Sequence, residues 1–154
     1  MLQPNLGTID ALPIDVPKLS DPAVLTDLPF PFPGPIPMRF QLDGHKRFKF
    51  RGRHTFETLY QAFRHMNPEQ NRRLHFHGSL GTGKSYLIAA MVCLLKKEGR
   101  TVVYIPDCYE LLLSEPPSLY VLKALTLTFK SDPNLVSEIQ KLAHTAVNQH
   151  LDLG

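Results

Sequence analysis

Hydrophobic positions recur at helical spacing in the second third of the chain. Downstream of Thr55 they fall at i, i+3, i+4 and i+7, the pattern of a helix with one buried face. Asn67 precedes Pro68, and a proline disfavours helical backbone in the residue before it, so this helix is predicted to end there. Just upstream, basic and aromatic residues alternate in RFKFRGR, which predicts a short extended segment. The hydrophobic positions of the predicted helix are Phe56, Leu59, Tyr60 and Phe63.

The centre of the chain carries three hydrophobic patterns in succession. Residues 74–77, LHFH, predict a short strand. From Ser85 the sequence SYLIAAMVCLLKKEG is apolar on most helical faces and ends in two lysines and Gly99, as expected of a buried helix with a glycine C-cap. Residues 102–105 form a run rich in β-branched side chains, which is typical of a buried parallel strand. Together the three patterns predict one βαβ unit and therefore an α/β fold class.

The remaining hydrophobic positions predict helices alone. Asp107 is a candidate N-cap for a short helix ending at Leu113, and Asp132-Pro133 supplies the N-cap and first-turn residues of another. Between them, residues 118–129 place three apolar side chains on one helical face. These side chains are Leu122, Leu125 and Phe129. No third strand is predicted, so the expected fold is a βαβ unit followed by C-terminal helices.

Proline divides the chain into two parts. Nine of the 14 prolines lie at or before Pro37. Each proline removes a backbone donor that a helix or a central strand would use. Residues 1–40 are therefore predicted to be a disordered proline-rich leader, and residues 46–154 are predicted to be the folded domain. A linker is the favoured interpretation of the leader, and a ligand for an aromatic-lined partner groove is the alternative.

Composition places the chain among reduced, intracellular proteins. At 154 residues and 43% hydrophobic content it has the size of one globular domain. Its two cysteines do not make a disulfide framework, and its N-terminus has no basic region followed by an apolar core. The longest apolar run covers only about half a membrane span. A cytoplasmic or nuclear location and no membrane partner are expected.

The net charge of +3 hides a segregation of charge along the chain. Residues 1–45 contain two Lys or Arg and five Asp or Glu, and residues 101–154 contain three and six. Residues 46–100 contain twelve and three, so this middle part carries the positive charge. Clustered positive charge favours an anionic ligand. A solvated basic face with no ligand is the alternative interpretation.

The glycine-rich sequence GSLGTGKS, Gly78 to Ser85, has the spacing G-x-x-x-x-G-K-[ST] of a phosphate-binding loop. Such a loop can turn several backbone N–H groups toward one anion, and the following helix adds the partial positive charge of its N-terminus. Lys84 is expected to reach the β and γ phosphates, and the Ser85 hydroxyl is expected to coordinate Mg²⁺. ATP, with GTP as the alternative, and Mg²⁺ are therefore the expected cofactors. A glycine-rich turn without a ligand is the competing interpretation.

The chain from Phe50 to Cys108 resembles the front of an AAA-like or STAND-type P-loop ATPase domain and, more narrowly, P-loop proteins of the fungal Crinkler and retrotransposon-hot-spot type. The likeness rests on GSLGTGKS, the apolar helix after it and a strand ending in YIPDC, and it covers about residues 46–113. It implies that Arg53, in a Gly-Arg turn, lies near the adenine, with His54 standing where those families have an acid. The nucleotide-binding residues that it implies are Gly78, Gly81, Thr82, Gly83, Lys84 and Ser85.

The same families imply parts that the sequence does not offer. ATP hydrolysis normally needs a second acidic motif, on a strand ending in Asp, and further polar groups around the γ-phosphate. Residues 102–107 directly follow the helix after the phosphate loop. By the resemblance they correspond to the second strand of the domain, which is not the strand that carries the acidic motif, so Asp107 is interpreted as a helix cap. No arginine follows Arg100 to act as an arginine finger. The domain is therefore expected to be cut short, with no catalytic residue assigned and no hydrolysis by this chain alone.

A second function rests on the basic segment 46–53. Its Lys and Arg side chains alternate with Phe48 and Phe50, a combination that can contact phosphates and stack bases. A nucleic-acid-binding or protein-interaction module is therefore the alternative to nucleotide binding, and a charged edge whose Phe residues pack on the domain is a further interpretation. Two strands would also leave sheet edges exposed, and such edges invite pairing with another chain or self-association.

Overall fold

Local sequence signals set the ends of most elements in this computed structural model, which describes residues 9–67, 69, 73–114 and 116–151. Over these residues the chain forms six helices and one two-stranded antiparallel sheet, so its class is mixed α and β. In chain order the elements are α1 (Val16–Ser20), β1 (Leu25–Pro29), β2 (Arg47–Arg51), α2 (His54–Arg64), α3 (Lys84–Lys97), α4 (Cys108–Leu113), α5 (Pro117–Thr128) and α6 (Pro133–Leu151).

The sheet joins β1 to β2, with Pro29 opposite Arg47. The extended segment predicted from RFKFRGR is confirmed as β2, and its side chains alternate between the core and the solvent. Phe48 and Phe50 lie on the buried face. Pro29 lies in β1, which is an edge strand of the described sheet and therefore tolerates a residue without a backbone donor.

The central helix of the fold is α3, which packs against α2 and both strands. Nine of its 14 residues are buried, which confirms the buried helix predicted from the apolar sequence. Gly99, just beyond its end, has a φ of 75°, the left-handed conformation expected of a glycine C-cap. Cys93 is buried in α3, where burial raises the pKa of its thiol to about 12, so it is a core residue as predicted.

Helix α2 is also confirmed, with three of its four predicted positions in the core. Phe56, Leu59 and Tyr60 are buried, whereas Phe63 is 37% exposed. The Tyr60 hydroxyl donates to a Glu98 carboxylate oxygen at 2.7 Å, which ties α2 to the end of α3. The helix therefore lies against the element that carries the phosphate-loop sequence at its other end.

The prediction of a disordered leader over residues 1–40 is wrong for residues 9–40, and residues 1–8 lie outside the described part. Residues 9–40 contain α1 and β1 and contribute many of the largest core side chains. The rings of Phe30 and Phe40 meet edge to face at 4.7 Å, and the ring of Phe32 lies 4.8 Å from that of Tyr120. Proline content dominated the prediction, but the apolar residues between the prolines gain more by burial than the missing backbone donors cost.

The two parallel strands predicted at residues 74–77 and 102–105 are not met within the described residues. Neither segment pairs with a strand there, since the sheet described contains β1 and β2 alone. Leu74, Phe76 and Val103 remain between 38% and 47% exposed, while Tyr104 is buried. A hydrophobic pattern can favour an extended backbone, but a strand also needs a hydrogen-bonded neighbour, which the local sequence does not supply.

The C-terminal part forms the helices predicted for it, with one face misassigned. Asp132 accepts hydrogen bonds from the Asn134 and Leu135 amides at 3.0 and 3.1 Å, so it begins α6 as predicted. On α5 the buried side chains belong to a different face from the predicted one, and they are Tyr120, Ala124 and Leu127. Among the helices described here, none is long and apolar enough to cross a membrane.

Candidate functional site

The glycines of GSLGTGKS supply backbone conformations that other residues rarely adopt. Gly81 and Gly83 have φ values of 78° and 72°, in the left-handed region that glycine enters at little cost. Gly83 is the N-cap of α3, so the turn delivers the chain directly into the helix. A Cβ on Gly83 would also collide with the Arg53 guanidinium. Two of the loop's glycines therefore occupy backbone conformations that a residue with a Cβ would adopt only at a cost.

Lys84 folds back into the loop. Its ammonium group donates to the Gly78 and Ser79 carbonyl oxygens at 2.7 and 2.5 Å, and it lies 3.3 Å from the Thr82 hydroxyl. The Thr82 hydroxyl in turn donates to the Ser79 carbonyl at 2.9 Å. The positive charge of Lys84 is thus held against three residues of the sequence that the motif assigns to a polyphosphate.

Arg53, assigned by resemblance to the neighbourhood of the adenine, reaches the same loop. Its guanidinium donates to the Thr82 carbonyl oxygen. The backbone of Arg53 is fixed at the start of α2, where its amide donates to the Leu19 carbonyl at 3.0 Å. Gly52, just before it, lies so close to Asp21 that a Cβ there would meet backbone atoms. A tight turn therefore places a second cation beside Lys84.

Arg39 is a third cation at the loop, and sequence reasoning missed it. Its Nε atom donates to the Ser85 hydroxyl at 3.0 Å, and its guanidinium pairs with an Asp107 carboxylate oxygen at 3.0 Å. The same guanidinium donates to the Pro106 carbonyl. Because Arg39 lay in the presumed leader, nothing pointed to it except its rarity, as one of two basic residues before residue 46.

The position of Arg39 is fixed by its aromatic neighbours. Phe40 is buried, with its ring 4.8 Å from that of Tyr86. The Tyr86 hydroxyl accepts a hydrogen bond from the Gln41 amide at 2.7 Å, and the Phe40 amide donates to the Pro37 carbonyl at 2.9 Å. Tyr86 belongs to the first turn of α3, so the segment around Arg39 is tied to the helix that begins in the loop.

Asp107 performs two tasks with its two carboxylate oxygens. One accepts from the Tyr109 and Glu110 amides at 3.0 and 3.4 Å, which confirms the predicted cap of α4. The other pairs with Arg39. Burial raises the pKa of Asp107, but hydrogen bonds from the Tyr109 amide and the Arg39 side chain outweigh it and hold the pKa below its usual value. Asp107 is therefore ionised at neutral pH and linked to Ser85 through Arg39.

The oxygen atoms available to a divalent cation are few. No group of three or more His, Cys, Asp or Glu side chains suited to a metal occurs among the described residues. Besides the Thr82 hydroxyl and the loop carbonyls bonded to Lys84, a Ser85 hydroxyl and an Asp107 carboxylate are hard oxygen donors beside the loop, and the Arg39 guanidinium contacts both of these side chains. This donor set fits Mg²⁺, which at nucleotide sites takes one or two protein ligands and completes its shell with phosphate and water.

The basic segment 46–53 presents charge without aromatic rings. Phe48 and Phe50 are each 1% exposed, so neither ring is accessible to a base. Arg47 pairs with Asp27 at 2.7 Å across the sheet. Lys46, Lys49 and Arg51 remain exposed. The segment forms the charged edge of β2, and its Phe residues pack on the core.

Comparison with known proteins found no match for the chain among protein-family models, curated proteins or solved structures. The function is therefore inferred from the loop itself and from the three cations that meet there.

Proposed function

We propose that this chain binds Mg²⁺ and a nucleoside triphosphate, ATP with GTP as the alternative, at the loop from Gly78 to Ser85. The observation that supports it most directly is the position of the Lys84 ammonium, which is bonded to the Gly78 and Ser79 carbonyls beside the N-terminus of α3. A cation and a helix N-terminus at one point form a favourable environment for a polyphosphate. The motif spacing and this arrangement support the same assignment.

Each polar group of the loop has a role in the proposed complex. Lys84 exchanges its carbonyl partners for the β and γ phosphates, and the backbone N–H groups from Gly81 to Lys84 contribute further donors. Ser85 offers its hydroxyl to the metal. Mg²⁺, when bound, neutralises phosphate charge and orients the phosphate chain. Arg53 adds positive charge at the Thr82 side of the loop, where the resemblance assigns it to the nucleotide.

The proposed fold around the site is a partial P-loop domain. In it residues 74–77 and 102–105 are the strands of a βαβ unit whose helix is α3. The order of a strand-like sequence pattern at 74–77, a glycine loop, a buried helix and a second strand-like pattern at 102–105 supports this assignment. Pairing of these segments is then completed by further strands, from a partner or a second copy.

We propose that the chain binds the nucleoside triphosphate but does not hydrolyse it without a partner. Hydrolysis needs a carboxylate or amide that orients a water molecule at the γ-phosphate. Asp107 is the carboxylate that the described residues bring to the loop, and its two oxygens are committed to the α4 amides and to Arg39. No residue is therefore proposed as a catalytic base.

Titration of the purified chain with a fluorescent ATP analogue and Mg²⁺ tests the proposal. We expect saturable binding that Lys84→Ala abolishes, because the cation at the centre of the loop is removed. Lys141→Ala, which removes an exposed lysine of α6, is the matched control and should bind as the wild type does. Equal binding by wild type and Lys84→Ala, or no binding by folded wild type, would refute the proposed site.

The rival function, binding of nucleic acid by segment 46–53, is tested in the same samples. Replacement of the exposed Lys49 and Arg51 by Ser should weaken binding of a labelled single-stranded oligonucleotide if that segment is the site. The nucleotide proposal expects this double variant to bind the ATP analogue normally. Loss of oligonucleotide binding with no ATP binding in any variant would favour the rival.

A further inference from the structure

The contact between Arg39, Ser85 and Asp107 bears on how a metal ion enters the loop. Arg39 Nε donates to the Ser85 hydroxyl at 3.0 Å, and the guanidinium pairs with Asp107 at 3.0 Å. A third bond goes to the Pro106 carbonyl, so the guanidinium has an acceptor for each of its nitrogens. A side chain held by an ion pair and two hydrogen bonds occupies one defined position rather than sampling the solvent.

Mg²⁺ and a guanidinium cannot both bind closely to the oxygen atoms of Ser85 and Asp107. The metal needs a lone pair of the Ser85 hydroxyl and takes the Asp107 carboxylate directly or through water. Arg39 already donates into both groups. Two cations within contact distance of the same pair of oxygens repel each other strongly, because little solvent screens them at so short a range.

Resting on the proposed function, we infer that Arg39 competes with Mg²⁺ for the oxygens of Ser85 and Asp107 and thereby sets how much Mg²⁺ the loop requires to bind a nucleotide. In the free chain the Arg39 guanidinium holds the metal position. Entry of Mg²⁺ with the nucleotide displaces it from Ser85. The contacts of Phe40 and Gln41 with Tyr86 keep Arg39 at the loop. The competing cation is therefore always present at high local concentration.

The geometry favours competition over direct binding of phosphate by Arg39. Lys84 and Arg53 contact the loop carbonyls, around the position of the anion. Arg39 instead contacts the hydroxyl and the carboxylate, the two groups whose chemistry suits a metal ion. Its side chain is 44% exposed, so it can move into solvent without opening the core.

The test measures nucleotide affinity over a series of Mg²⁺ concentrations for the wild type, Arg39→Ala and Arg39→Lys. We expect Arg39→Ala to lower the Mg²⁺ concentration for half-maximal binding about fivefold to tenfold, the effect of removing one half-exposed ion pair and one hydrogen bond. Arg39→Lys keeps the positive charge but loses the planar guanidinium that donates to two groups at once. Its Mg²⁺ concentration for half-maximal binding should therefore lie between those of the wild type and Arg39→Ala. Arg47→Ala, which removes an arginine paired with Asp27 outside the loop, should match the wild type.

The outcomes separate this inference from the proposed function. Suppose that the wild type binds the nucleotide and Lys84→Ala abolishes this binding. If Arg39→Ala then needs as much Mg²⁺ as the wild type or more, the competition is overturned and the proposed nucleotide site is unaffected. No binding by either, with both chains folded, overturns both proposals together.

Discussion

Three cationic side chains lie at the loop, and each of them contacts a different set of groups. Lys84 contacts the carbonyls of the loop, Arg53 contacts Thr82, and Arg39 contacts the side chains of Ser85 and Asp107. The sequence singled out Lys84 through the motif spacing and Arg53 through a family resemblance, and the roles that these gave them toward a nucleotide stay predictions. Arg39 could not be predicted, because its contacts lie 46 and 68 residues away and depend on the burial of Phe40.

The two left-handed glycines of the loop give a matched pair of substitutions. Gly81→Ala introduces only the cost of a positive φ, about 1 kcal/mol, because nothing lies near its Cβ position. Gly83→Ala also displaces the Arg53 guanidinium, which is the mobile end of its side chain, and so removes its hydrogen bond to the Thr82 carbonyl; we expect a loss of unfolding free energy of about 2 kcal/mol. Urea unfolding of both variants measures the difference. Equal losses would contradict the close approach of Arg53 to the loop.

At the scale of elements, local sequence signals predicted where helices begin and end, but they did not predict which segments pair as strands. The ends of α3, α4 and α6 followed from a glycine C-cap, an aspartate cap and an Asp-Pro pair, all of which act within one helical turn. Residues 74–77 and 102–105 were predicted as strands from their hydrophobic patterns, but a strand also needs a hydrogen-bonded neighbour, whose position in the sequence the local pattern does not reveal. The segregation of proline into the first 37 residues likewise obscured α1 and β1.

Helix α5 shows how a weak hydrophobic periodicity misleads. Its sequence is apolar on several faces, so one-dimensional spacing favoured Leu122 and Leu125, whereas tertiary packing buries the face with Leu127. The burial follows from contact with the core rather than from the pattern along the helix. A buried and a less buried leucine in one helix therefore allow a direct test.

We expect Leu127→Ala to lower the unfolding free energy by about 2–4 kcal/mol, since the side chain is 2% exposed and its removal leaves a cavity. Leu122→Ala makes the same chemical change in the same helix and should cost clearly less, because Leu122 is only partly buried. Helix propensity cancels in this comparison. Denaturant unfolding of the two variants measures it, and a larger loss for Leu122→Ala would restore the face predicted from the sequence.

At the scale of the whole molecule, the first part of the chain and the C-terminal helices meet around the end of α3. A cleft of about 460 Å³ lies there, lined in part by Asp10, Lys96 and Leu127. Lys130 pairs with Asp10 at 2.9 Å, which ties the connection between α5 and α6 to the segment before α1. Self-association through the edges of the two-stranded sheet stays a prediction.

Lys96 is the buried charge at this junction, and its ionisation links stability to pH. Burial, aided by the nearby Lys130, lowers the pKa of Lys96 to about 8, and the Lys96 ammonium donates to the Leu127 carbonyl at 3.2 Å. Between about pH 8 and pH 10 the unfolded chain therefore binds more protons at this residue than the folded chain does. The contribution of Lys96 to stability is accordingly least favourable below pH 8 and improves as pH rises through that interval.

Lys96→Met removes the buried charge and keeps most of the side-chain volume. At pH 7 we expect the variant to gain about 1–3 kcal/mol of unfolding free energy, reduced by whatever the lost bond to the Leu127 carbonyl contributes. The gain should shrink as the pH rises from 8 to 10, because the wild-type lysine is then neutral when folded. Lys141→Met, at an exposed position of α6, controls for general effects of losing a lysine. A gain for Lys96→Met that does not change with pH would mean that packing, rather than the buried charge, limits stability around Lys96.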